Sequence, residues 1–295
     1  MSDRPVLGIL LMLGFCLFAP LGDALVKLLG AAVPVLMILL FRYGMQALIG
    51  IFILISGGSL YLSRRVFLFT ILRSVLHVSA FAIFVIALRY LPLADAIAIA
   101  YVMPFILLIL GGFFLGEEVG RRRIIACAVG FVGTILVVQP RFAEVGAPAL
   151  LPIAVAVLFA VFMLVTRQIA KEAGPFKLQA VSGIVSLVLL LIVWMLPFKG
   201  DQITVIQPSG TQLVILISAA VLGTIAHLLM TWSLRFAPSA TLAPMQYLEI
   251  PFATLIGWLV FRDLPNGLTA VGIMVTIGAG LYVLWREHQI AKLTK

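Results

Sequence analysis

The chain has 295 residues, 63% of them hydrophobic and only 11% charged, with a mean hydropathy of +1.24. A soluble fold of this length needs far more polar surface, so the composition excludes a soluble enzyme, a nucleic-acid-binding domain and a disordered chain. It leaves an integral membrane protein with many spans. The net charge of +9, from 20 Lys and Arg against 11 Asp and Glu, then reads as loop charge that fixes orientation, not as nucleic-acid contact.

Ten apolar runs follow one another, at residues 5–28, 34–55, 67–90, 93–115, 122–139, 148–170, 177–197, 211–235, 239–261 and 266–285. Runs of about 20 residues cross ~30 Å of hydrocarbon at ~1.5 Å per residue. Pro, Gly and charge mark the breaks, and no link is long enough to hold a soluble domain. The first run lacks a small-residue cleavage site with a polar region after it, so it is read as a retained span. With the N-terminus in the cytoplasm, inner segments hold 13 basic residues, including Arg64, Arg65 and Arg121 to Arg123. Outer ends hold 5: Lys27, Arg89, Arg141, Lys199 and Arg262. This asymmetry predicts both termini in the cytoplasm.

Polar side chains inside spans are costly and normally face an interior or a wet cavity. In the first span, Asp23 and Lys27 form an i,i+4 pair just after Pro20, and Arg42 enters from the second span at similar depth. The trio reads as an outer gate or ion-pair network, or as an anion-attracting vestibule. Arg73 and His77, one turn apart on the third span, share a face. They read as a clamp for a carboxylate or phosphate, with snorkelling to the headgroups as the alternative for Arg73. Tyr101 and Pro104 follow in the fourth span, His227 and Trp232 in the eighth, and Gln246, Tyr247, Glu249 and Pro251 in the ninth. His227 is a weaker cavity candidate and reads better as a hydrogen-bonded packing histidine. Tyr101, Gln246, Tyr247 and Trp232 are taken as cavity candidates. Glu249 lies near the membrane midplane between Pro244 and Pro251, where lost backbone donors free carbonyls for a binding site. It reads as a substrate or proton site, or as a carboxyl bridging helices. Glycines inside the spans, such as Gly111, Gly130 and Gly272, allow close helix approach.

Cys16 and Cys127 lie inside apolar runs, and His77, His227 and His288 have no partners at metal-ligand spacing. There is no G-x-x-x-x-G-K-[ST] motif and no nucleophile elbow. No catalytic residue, metal or cofactor is expected.

The chain also repeats itself. ALRYLPLADAIAIAYVMPF at 87–105 is echoed by SLRFAPSATLAPMQYLEIPF at 233–252. At an offset of 146, Arg89 meets Arg235, Pro92 meets Pro238, Tyr101 meets Tyr247 and Glu117 meets Asp263. A one-residue slip brings Pro104 onto Pro251. Two halves follow, 1–142 and 146–295, and an odd number of spans per half inverts the second. Inverted repeats are an architecture of secondary transporters, with the substrate near the midplane between them.

Ten spans, two five-helix halves, and the acids closing the fourth helix of each half (Glu117 in FFLGEE, Asp263 in LVFRD) resemble the drug/metabolite transporter superfamily, EamA branch. The resemblance covers nearly the whole chain. It implies an all-α integral membrane fold, ten transmembrane helices as two inverted five-helix repeats around a central cavity, in the bacterial inner membrane. It implies alternating access and substrates among amino acids, S-adenosylmethionine, riboflavin or siderophore-like metabolites. Polar groups of both signs fit a zwitterion, so amino acids or related compounds are the first expectation. Uptake of a vitamin or cofactor (riboflavin or S-adenosylmethionine) is the alternative. A lipid-modifying membrane enzyme or a non-transporting scaffold is the reading of another class. The partners expected are a small-molecule substrate and the lipid bilayer, with no nucleic acid, and either a monomer or a homodimer.

Overall fold

The structure, a computed structural model, describes residues 4–117, 120–138, 146–197, 200–262 and 267–293. Arg141, Lys199, Asp263 and Lys295, which enter the charge and repeat arguments, lie outside the described residues. The described residues form α-helices, short 3-10 turns and connecting loops, with no β-strand among them. The first half holds α1 (Pro5–Leu29), α2 (Val35–Ile55), α3 (Arg64–Ala87), α4 (Leu93–Ala100), α5 (Met103–Leu115) and α6 (Arg121–Val138). The second holds α7 (Leu151–Ile169), α8 (Pro175–Met195), α9 (Gly210–Phe236), α10 (Ser239–Gln246), α11 (Glu249–Phe261) and α12 (Gly267–Leu293).

Six of these, α1, α2, α3, α7, α8 and α9, are long and apolar enough to cross a bilayer. The other four passages of the ten-span reading correspond to α6, α12 and two rods broken in the middle, α4 with α5 and α10 with α11. Helix starts follow local chemistry. Pro5 and Pro175 occupy first-turn positions where no backbone donor is needed. Ser63 caps α3, and Ser209 with Gln212 forms a capping box on α9. Hydroxyls inside the helices are satisfied by the carbonyl four residues back, as at Thr70, Ser74, Thr166, Thr224 and Thr231, with distances of 2.7–2.8 Å. This removes the cost of a bare polar group in hydrocarbon.

The two breaks obey the repeat without any slip. Adding 146 to the bounds of α4 gives those of α10, and the same shift turns α5 into α11. Pro104 and Pro251 therefore do not sit at equivalent positions, nor at the breaks themselves. They fall in the first turns of α5 and α11, where proline is tolerated, and the chain turns at Tyr101 and Tyr247. α5 and α11 also end alike. Gly116 and Arg262, again 146 apart, both adopt the left-handed conformation, at φ 61° and 62°. Glycine accepts this freely; Arg262 is the only non-glycine with positive φ among the described residues.

Packing between the halves is reciprocal. α1 lies along α9 and α7 along α3, while α2 pairs with α8 and α6 with α12. The counterparts of α1 and α9, which are α7 and α3, pair in the same way, and α2 and α6 each meet their own counterpart, as a two-fold relation between halves requires. At the centre of the α2–α8 contact, a Cβ on Gly183 would stand 2.5 Å from the backbone nitrogen of Ala47. Because backbone cannot yield as a side chain can, Gly183→Ala is expected to destabilise the fold by about 1–3 kcal/mol. Gly44→Ala on α2, with nothing within 4 Å of the new carbon, serves as the control. Thermal unfolding of both variants in detergent checks this; equal midpoints would contradict it.

Candidate functional site

Several long helices turn polar or aromatic residues toward one interior space. α1 contributes Phe15, Ala19 and Asp23, α2 Arg42, and α3 His77, Ala80, Phe81 and Phe84. Ile97, Ala100, Tyr101 and Met103 come from the first broken rod and its break, Val155, Ala156 and Phe159 from α7, His227 from α9 and Glu249 from α11. Together they line one cavity of about 90 Å³. The lining residues of α1, α2, α3 and α7 lie from mid-depth toward the helix ends far from the chain's N-terminus, and Ile97 and Ala100 lie on α4, the rod segment that starts at that far end. His77, Met103, His227 and Glu249 form the floor near mid-depth. The cavity thus occupies the half of the bundle opposite the N-terminal face.

The floor is a hydrogen-bonded set. Tyr101 donates its hydroxyl to the Glu249 carboxylate, joining the two broken rods. His77 Nδ1 lies 3.2 Å from the Tyr43 hydroxyl, and its Nε2 lies 3.2 Å from Nε2 of His227. One proton must lie between those two nitrogens, so the pair bridges α3 and α9 through a shared hydrogen bond. Phe162 stacks on the His77 ring at a centroid distance of 4.7 Å with Phe159 beside it, and Phe15 lies edge-on to the His227 ring at 5.8 Å.

Arg42 is 5% exposed, with its guanidinium 3.9 Å from the centre of the Phe81 ring. Gly223 opposite leaves room for it, since a Cβ there would collide with the guanidinium. Asp23 faces the same cavity and acts on Arg42 electrostatically. No ion pair joins them among the described residues. Lys27 instead donates to the Leu91 carbonyl at 2.6 Å and lies over Phe261, tying α1 to the α3–α4 link. The expected trio is therefore split: Asp23 and Arg42 line the cavity, and Lys27 is not among its lining residues.

Other expected residues are placed differently. Arg73 is 1% exposed, over the Phe162 ring, below the floor and not among the lining residues. Burial inside the protein sets aside the snorkelling alternative. Gln246 and Tyr247 are fully buried behind the cavity wall. The Tyr247 ring packs into the space left by Gly130 and lies 5.8 Å from that of Tyr101. Trp232 is turned away, edge-on to Phe176 at 5.0 Å, so it does not line the cavity. His227, ranked by the sequence as a packing residue before a cavity candidate, is part of the cavity floor, and one group was missed altogether. Tyr43 was not singled out, although its position one residue after Arg42 on an apolar helix was the available signal.

Beneath the floor the bundle is shut by a cluster around Glu117. Gly116 turns the chain back after α5, and the Glu117 carboxylate accepts from the backbone of Ser239 and Ala240 at 3.1 and 2.9 Å. It also accepts from the Ser239 hydroxyl at 2.6 Å and from Arg167 Nε at 3.3 Å. Arg167 also donates to the Leu234 carbonyl at 2.6 Å. A first-half carboxylate thus caps the start of α10 in the second half, where the helix dipole favours negative charge. Nearby, Ser233 donates to the Gly8 carbonyl at 2.7 Å. These bonds close the N-terminal face.

Residues 6–139 and again 147–285 match the profile of the EamA-like transporter family. The chain belongs to that family, and it is a multi-pass membrane protein. It is 29% identical over 206 residues to a protein named riboflavin transporter in Rhizobium johnstonii, a match covering 69% of this chain and 65% of that one. It is 22% identical to the S-adenosylmethionine uptake transporter of Rickettsia prowazekii, over 94% of both chains. A match of 24% identity, over 86% of this chain and 88% of the other, is to the pseudopaline exporter CntI of Pseudomonas aeruginosa. A protein solved by crystallography shares the fold, with a TM-score of 0.71 at 19% identity and 94% of each chain covered. The relatives from Rhizobium johnstonii, Rickettsia prowazekii and Pseudomonas aeruginosa are all transporters by name.

Proposed function

We propose that this member of the EamA-like transporter family carries a vitamin- or cofactor-class metabolite into the cell by alternating access. The cargo combines a flat ring system with polar groups, as riboflavin and S-adenosylmethionine do. The observation that carries this reading is the cavity. Phe15, Phe81, Phe84, Phe159 and Tyr101 offer aromatic faces for a ring, and Asp23, Arg42, His77, His227 and Glu249 offer charges and hydrogen bonds around it. The basic asymmetry of the loops supports placing both termini, and with them the Glu117 closure, on the cytoplasmic side of a bacterial inner membrane. The structure then corresponds to an outward-open state. In the inward-open state Glu117 leaves α10 and the two-fold-related face closes.

Binding tests the reading. A ligand that binds the folded state raises its melting temperature by mass action. Riboflavin or S-adenosylmethionine is expected to stabilise the purified protein, whereas an apolar dye without polar edges is not. If neither metabolite shifts the transition at millimolar concentration, the cargo assignment fails. Reporter fusions at the two termini are expected to report the cytoplasm at both; opposite sides would overturn the orientation.

A further inference from the structure

Two opposite charges face one cavity without meeting. Asp23 and Arg42 both line it, 9% and 5% exposed. Neither has an ion-pair partner among the described residues, and no hydrogen bond of either side chain is found there. The Arg42 guanidinium is held by contacts that leave its donors unspent, against the Phe81 ring and the Gly223 backbone. Its Nε has no hydrogen-bond partner and no access to solvent. Glu249, the other carboxylate of the cavity, is already engaged by Tyr101. A charge taken out of water is expensive unless paired. Two such groups that line one cavity without pairing are satisfied together by a ligand that brings the complementary pair.

We propose that Asp23 and Arg42 form a head-group clamp for a zwitterionic α-amino acid moiety, Arg42 taking the carboxylate and Asp23 the ammonium. Guanidinium matches a carboxylate with two parallel N–H donors, and a carboxylate accepts well from an ammonium. The aromatic faces on α1, α3 and α7 then receive a ring carried on the same molecule. This rests on the uptake reading above and narrows it: a cofactor with an amino acid head fits, and a polyol-bearing ring lacks the groups the clamp needs.

The test is a set of dissociation constants measured on the full chain in detergent by ligand-dependent thermal shift. The probes are S-adenosylmethionine, the same molecule lacking its α-carboxylate, 5′-methylthioadenosine and riboflavin. Charged hydrogen bonds at a buried site discriminate by roughly 10- to 100-fold. S-adenosylmethionine is expected to bind that much more tightly than its decarboxylated form, and 5′-methylthioadenosine more weakly still. Arg42→Gln should bring the first two probes together by weakening only the intact one, and Asp23→Asn should weaken both. Equal binding of intact and decarboxylated probes by the wild type would overturn the clamp, whatever the variants do. So would tighter binding of riboflavin than of S-adenosylmethionine, which leaves the uptake reading standing. An equal loss for every probe in Arg42→Gln would assign that residue to the architecture of the cavity and likewise overturn the clamp. Failure of all the probes to bind would instead remove the uptake reading on which it rests.

Discussion

Glu117→Ala is expected to open the N-terminal face and to slow transport severely. The Glu117 carboxylate and the Arg167 guanidinium are only 9% and 10% exposed. Removing the carboxylate leaves the Ser239 hydroxyl and two backbone N–H groups at the start of α10 without this acceptor, and takes the carboxylate away from the Arg167 guanidinium. Truncating one member of a buried ion pair costs about 3–5 kcal/mol, which corresponds to a shift of roughly a hundredfold or more toward states in which the contact is already broken. The cost falls on the closed inner face, so the outward-open state loses population. Ser233→Cys, on the seam where Ser233 meets Gly8, provides the readout in a background without Cys16 and Cys127. Labelling of this position by a membrane-impermeant thiol reagent from the N-terminal side is expected to accelerate in Glu117→Ala. Unchanged labelling, with the protein folded, would mean that Glu117 only caps a helix.

Glu249→Gln is expected to leave the protein folded and to reduce transport by roughly tenfold or more. The amide keeps the shape of the carboxyl and an oxygen that accepts from the Tyr101 hydroxyl, so the link between the two broken rods survives. The negative charge on the cavity floor is lost. Interactions with an ionised group are worth about 1.5–3 kcal/mol each, which sets the scale of the fall. Tyr101→Phe removes the same hydrogen bond and keeps the charge. It is expected to lower stability more than transport. Transport rates and melting temperatures of the two variants, measured across several pH values, separate the roles. If Glu249→Gln transports like the wild type at every pH, the carboxyl is a bridge between helices and the floor histidines become the site to examine.

The membrane class, the order of the helices and the repeat were legible because they depend on local properties. Apolar length reveals a span, and the matched Pro92 and Pro238 mark where the broken rods begin. The position of each break was legible only to within a few residues. Prolines drew attention to 104 and 251, yet the chain turns at Tyr101 and Tyr247, with the prolines already in the following helices. Proline reports where a backbone donor is dispensable, which includes a first turn as well as a kink. The site was legible in part. Polar residues on apolar helices identified Asp23, Arg42, His77 and Glu249, because burial of such groups demands a reason. The sequence does not state how two helices rotate about their axes. That rotation turns Trp232 onto Phe176, buries Arg73 behind the cavity floor and brings His227 to His77 across 150 positions of chain. The closure by Glu117 was equally hidden. An acid at the end of the fourth span was recognised, but the helix start it caps lies 122 residues further on.

Carriage of a ring-bearing cofactor through the aromatic and charged cavity is tested most directly by counterflow in vesicles of purified protein. Vesicles preloaded with unlabelled S-adenosylmethionine or riboflavin are diluted into a trace of the same labelled compound. Accumulation above that of protein-free vesicles is predicted for at least one of the two, and its rate should fall by roughly tenfold or more in Glu249→Gln. Entry of both compounds no faster than into protein-free vesicles, from protein that folds and inserts normally, would contradict the account.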